Sequence, residues 1–171
     1  MNAHLGARQP LRKGQAHQAG FERSGNRAAG SRDDRHECFG RQAGAANQSA
    51  ADAIGCELAQ IAKTLVFRRM RTDKPVLVIA SGANRVNEKA LRGHLGEKAE
   101  KADAEYAQEH TGYAIGGIPP VGHVEAIETF IDEDLLTHEC IWAAAGTPHA
   151  VFRLTPQALV EITGGDIISV K

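Results

Sequence analysis

The run Thr-Gly-Tyr-Ala-Ile-Gly-Gly-Ile-Pro-Pro-Val-Gly-His, residues 111–123, is built to hold main-chain groups in fixed places. Glycines at 112, 116, 117 and 122 open backbone conformations closed to other residues, while Pro119 and Pro120 fix φ and remove two N–H donors. Within Gly116-Gly117-Ile118-Pro119-Pro120, the amides of Gly117 and Ile118 are the candidates for gripping a carbonyl, a phosphate or a developing oxyanion. The plainer alternative is a tight connection between a helix and a strand.

Lys63 lies inside Ile61-Ala62-Lys63-Thr64-Leu65-Val66-Phe67, which otherwise reads as a buried strand. It is either the solvent-facing member of an alternating strand or a compact point charge set at a site. His149 follows Gly146-Thr147-Pro148, and His123 closes the glycine-rich run. Either histidine could serve as a base or make a purely structural contact. There is no G-x-S-x-G nucleophile elbow and no H-E-x-x-H, and His94, His110, His123, His138 and His149 are too scattered to read as a zinc set. Cys140 falls in an apolar strand, where an inert buried thiol is the better reading. No metal or cofactor is therefore expected.

The elements that must carry these residues alternate between short helices and short strands. Ser49 can cap a helix to about Leu58, and strands are expected over 61–67 and 75–80 on either side of a charged turn. Asn87 and Gly96 bracket a helix ending at Leu95, and Asp103 and Gly112 bracket another ending at His110. Strands are expected over 126–131, 139–145 and 150–154, with a turn or short helix near 132–136. Thr155-Pro156 then starts a helix that Gly164-Gly165 ends, and a last strand covers 167–170. This order predicts one α/β domain, residues 47–171, with a mixed β-sheet and surrounding helices.

Met1 to Ala46 breaks the pattern, containing no Val, Ile, Tyr or Trp. Its Arg, Gly, Ala, Gln and His mixture has no helical or strand period and predicts disorder. The readings are a segment translated from a shifted frame, a disordered basic tail and, last, a transit peptide. The whole chain of 171 residues carries 20 Lys plus Arg against 21 Asp plus Glu, so it lacks the positive excess of a protein that coats DNA or RNA. Three cysteines without close spacing suit a reducing compartment, and no apolar run approaches a membrane span. The expected location is cytoplasmic.

Taken in order, the lysine strand, the Gly116 to Pro120 loop with its G-x-x-x-P pattern and the segment Ala145-Gly146-Thr147-Pro148-His149-Ala150-Val151-Phe152-Arg153-Leu154-Thr155-Pro156 resemble the YbaK-like aminoacyl-tRNA deacylases. That family includes the editing domain inserted in many bacterial prolyl-tRNA synthetases, and the resemblance runs from about Asn47 to Lys171. It implies a trans-editing hydrolase acting on the acceptor end of a mischarged aminoacyl-tRNA, with a synthetase as a further partner and neither DNA nor membrane involved. It also implies Lys63, Gly116, Gly117 and Ile118 as catalytic residues, and Pro119, Pro120, His123, Gly146, Thr147 and His149 as substrate-binding residues. By this reading Lys63 fixes the terminal adenosine or its phosphate. An aminoacyl ester is already reactive, so placing water, carbonyl and ribose hydroxyl together can suffice. The amino acid stays open among Ala, Ser, Cys and other small residues, on tRNA for proline or another tRNA. The alternatives are a tRNA- or synthetase-binding module of the same fold without turnover, and the nonfunctional product of a disrupted gene.

Overall fold

The computed structural model describes residues 41–42 and 47–171. In chain order the elements are β1 (Arg41–Gln42), α1 (Asn47–Ile54), β2 (Ile61–Arg69), β3 (Pro75–Ser81), α2 (Glu88–Leu95), β4 (Ala99–Lys101), α3 (Ala104–Thr111), β5 (Glu128–Asp132), β6 (Ile141–Ala144), β7 (Ala150–Leu154), α4 (Pro156–Thr163) and β8 (Asp166–Ile168). Among the described residues the strands form one mixed sheet in the order β1-β7-β6-β2-β3-β5-β8, with β4 joined to β2 off this path. The fold is the α/β class with a mixed sheet and surrounding helices that the sequence predicts.

Side-chain and backbone chemistry at the helix ends explains where three of the helices start and stop. Asn87 accepts from the amides of Lys89 and Ala90, Asp103 from Tyr106, and Thr155 from Ala158 with Pro156 behind it. Each of these helices then ends on a glycine in the left-handed region, Gly96, Gly112 or Gly164. The strands are held by alternation. Ala62, Val66, Leu77, Ile79 and Ile131 face one side with Tyr106 and Ala107 of α3 and Leu159 of α4. Phe67, Val76, Val78, Ala80 and Phe130 face the other with Leu91 and Leu95 of α2. The central strand β3 is covered on both faces, which is why 76–80 reads as an unbroken apolar run.

Several boundaries differ from expectation. α1 begins at Asn47 and stops at Gly55, whose N–H reaches Ala51 O, so residues 58–60 form a separate 3₁₀ turn. β2 runs on to Arg69 because β4, three residues with two charges and no apolar period, pairs with Phe67 to Arg69. β5, β6 and β8 are each shorter or shifted by one or two residues. Cys140 lies just before β6, half-buried, where its Sγ accepts from Gln60 Nε2. The disorder expected over 1–46 falls outside the described residues, save for Arg41–Gln42, which pair with Val151 and Ala150. No helix among the described residues is long and apolar enough to cross a membrane.

Candidate active site

A fault in the sheet creates the site. The outer edge of β2 pairs with β6 at Ile61 and Ala62, and with β4 from Phe67 onward. Between those points no strand among the described residues covers it. Successive residues of a strand send their N–H and C=O to opposite edges. Ile61 O accepts from Gly82 N at 2.7 Å on the β3 side, and Val66 O accepts from Ala102 N at 2.9 Å on the outer side. The N–H and C=O of Thr64 therefore point into the opening. Its Oγ1 is also buried and has no hydrogen-bond partner among the described residues.

The opening widens into a cavity of about 170 Å³. Residues 61–66 of β2 form the floor, and Lys101, Ala102 and Ala107 close one side. Ile115, Gly116 and Ile118 make a second wall, and Trp142, Ala144, Thr147, Pro148 and Val151 a third. The lining is mostly apolar, with Lys63, Thr64, Lys101 and Thr147 as its polar side chains.

Two of the motifs are pressed together to make those walls. A Cβ at Gly117 would sit 2.6 Å from the carbonyl carbon of Thr147 and 2.7 Å from its Cα, so the glycine-rich loop lies directly on the backbone of the 146–149 turn. Gly117 N–H, expected as an oxyanion donor, instead donates to Ala114 O at 3.0 Å. Ile118 N–H has no partner among the described residues and belongs to a residue that lines the cavity. Pro119 and Pro120 are buried behind it.

Lys63 borders the cavity, and its ammonium donates to the carbonyl of Gly82 at 3.3 Å and to that of Asn84. Burial pulls its pKa below the usual lysine range. Asp132 pulls it back up, and Lys101 and Arg85 add to the lowering.

Of the residues expected at the site, Lys63, Gly116, Ile118 and Thr147 line the cavity, with Gly117 packed against Thr147. His123 does not line it. Its Nε2 donates to Pro119 O at 2.9 Å, its ring meets Tyr113 edge-on, and it borders a shallow groove with Pro120 and Val121. His149 is exposed and Gly146 is half-buried, and neither lines the cavity, although Thr147 and Pro148 between them do. Thr64, Trp142 and Pro148 were not anticipated. Nothing in a strand pattern marks a residue whose partner strand is missing. Among the described residues no group of three or more His, Cys, Asp or Glu side chains could hold a metal ion.

The aminoacyl-tRNA editing domain family matches residues 42–162, more than half of the chain. The chain belongs to that family. Its match starts a few residues before the Asn47 expected from the sequence, at the strand β1. The uncharacterized protein YwhH of Bacillus subtilis (strain 168) is 33% identical over 116 residues, 68% of this chain and 73% of that one. A protein of Enterococcus faecalis (strain ATCC 700802 / V583), named as a candidate Cys-tRNA(Pro)/Cys-tRNA(Cys) deacylase, EbsC, is 28% identical over 124 residues, 72% of this chain and 75% of that one. A crystal structure described as a candidate trans-editing enzyme for prolyl tRNA synthetase matches with a TM-score of 0.74 at 37% identity, over 78% of this chain and 86% of that one.

Proposed function

We propose that the chain is a free-standing trans-editing hydrolase that removes a small amino acid from mischarged tRNA. The size of the cavity carries this reading. A dry cavity of about 150 Å³ accepts a six-carbon ring, and this one, about 170 Å³, suits an occupant of similar size. An alanyl ester group fits that description: amino nitrogen, Cα, Cβ, carbonyl carbon and two oxygens. Seryl and cysteinyl groups add one atom, and a branched side chain would require the walls to move. The names of the relatives favour tRNA for proline as a substrate and a synthetase as a partner.

In the reaction, water adds to the ester carbonyl and the bond from that carbon to the ribose oxygen breaks. The proton that water loses ends on the departing ribose oxygen, giving free amino acid and intact tRNA. Ile118 N–H, with Gly116 beside it, is the donor for the oxyanion, and Lys63 supplies positive charge for the terminal nucleotide. His123 holds the loop rather than taking a proton. The ribose hydroxyl next to the ester is therefore the group that assists water.

A panel of tRNAs charged with Ala, Ser, Cys, Pro and Val tests the substrate. Hydrolysis by catalytic amounts of protein should fall steeply from the small residues to Val. Binding without turnover across the panel would instead identify a module that only holds tRNA. A tRNA ending in deoxyadenosine, lacking the hydroxyl beside the ester, should bind but react at least about 10²-fold more slowly. Near-normal turnover on it would return the role of base to a histidine.

A further inference from the structure

Asp132 is fully buried, and no Lys, Arg or His side chain among the described residues bonds to it directly. Its Oδ2 accepts from Ser81 N at 3.0 Å and from Asn84 Nδ2 at 2.8 Å, and its Oδ1 accepts from Asp134 N at 3.2 Å. Asn84 Nδ2 also donates to Asp134 Oδ2 at 2.8 Å, and Lys171 Nζ donates to that same oxygen at 2.7 Å. The segment 81–84 is pinned further by Gly82 N to Ile61 O and by Asn84 N to Ser81 O. What this clamped segment presents outward is the pair of carbonyls, Gly82 and Asn84, that receive the Lys63 ammonium.

A carboxylate taken out of water at such expense of solvation is held here by N–H donors on both oxygens, and an amide of the same shape would turn its NH2 toward one of them. Lys63 is linked to it through Asn84, whose side chain bonds to Asp132 and whose carbonyl receives the Lys63 ammonium. We infer that Asp132 and Asn84 are positioning residues for deacylation: together they set the two carbonyls that aim the Lys63 ammonium at the cavity. The inference rests on the deacylase reading above, and it adds to that reading a network on the far side of the strand from the substrate. Lys101 and Arg85 act against the charge on Lys63 and Asp132 acts for it, with Asp134 paired to Lys171 beyond.

The test compares wild type with Asp132→Asn, which removes the charge and exchanges one acceptor for a donor, and with Asn84→Ala, which removes the amide between the carboxylates. Lysine labelled with ¹³C at Cε reports the titration of Lys63 by NMR. Asp132→Asn should titrate Lys63 at lower pH than wild type does. Its kcat/KM on mischarged tRNA should fall about 10- to 100-fold, and the deficit should widen as pH rises and more Lys63 loses its proton. A loop-tying role alone would lower the melting temperature and leave the Lys63 titration in place. An unmoved titration, with kcat/KM within about twofold of wild type, overturns the inference. Should Asp132→Asn fail to fold, Asn84→Ala decides by the same kcat/KM criterion. If the wild type hydrolyses no mischarged tRNA, the deacylase reading is what fails, and the NMR titration still decides whether the clamp controls Lys63.

Discussion

Gly117→Ala should slow deacylation about 10²-fold while leaving the sheet intact. The added methyl would lie 2.6 Å from the carbonyl carbon of Thr147 and 2.9 Å from Pro148 N, and both are backbone atoms that cannot rotate away. One of the two loops must therefore move, and they are the walls of the cavity. A displacement near 1 Å of groups that position a reacting carbonyl costs about 10²-fold in rate, whereas overpacking at a loop contact costs about 1–3 kcal/mol of stability. In free energy the two effects are of similar size, so rate and stability must be measured together. Gly116→Ala separates clash from backbone strain. It has the positive φ of 93° that disfavours alanine, but its Cβ would come no nearer than 3.9 Å to Pro148. Deacylation rates and thermal melts on both variants check this, and a Gly117→Ala enzyme within a few-fold of wild type would remove the loop-on-loop contact from the account.

Lys63→Met should lose both activity and stability. A lysine that met substrate alone would be replaceable at little harm to the fold. This one satisfies the Gly82 and Asn84 carbonyls and balances the buried Asp132. Its removal leaves two acceptors without their donor and a buried carboxylate with one fewer counter-charge, for a loss of about 1–3 kcal/mol. Deacylation should fall by at least about 10²-fold, as for loss of an electrostatic group aimed at substrate. Urea midpoints and kcat/KM measured on the same preparation separate the two effects. Full stability would detach Lys63 from the clamp, and full activity would detach it from the site.

The parts of this fold that were legible are those fixed by neighbours in sequence. Asn87, Asp103 and Thr155 cap their helices by bonds two or three residues away, and the helices begin where those residues stand. β3 was legible because burial on both faces leaves an apolar run. β4 was not, since Ala99-Glu100-Lys101 becomes a strand through pairing with a segment some thirty residues earlier. The site divides in the same way. Lys63 and the glycine-rich loop stood out by residue type, yet the engagement of Gly117 N–H with Ala114 O and the aim of His123 at Pro119 O are matters of how one loop folds on itself. Asp132 and Asn84 gave no signal, because an acid at a strand end and an asparagine in a turn are ordinary in those places. Thr64 became visible only through the strand that does not pair with it.

That missing pairing also has a mechanical side. The β1-β7-β6 part of the sheet joins the β2-β3-β5-β8 part through two residue pairs, Ile61 with Trp142 and Ala62 with Ala143, where β2 and β3 are joined by seven. So short a seam is a natural hinge line, and the cavity is the wedge of space on its open side. A ligand lodged there would touch both leaves of the sheet and the otherwise bare edge of β2, tying across a seam that backbone pairing holds at two positions. On the deacylase reading, the exit of the freed amino acid would depend on how far those two strand pairs yield.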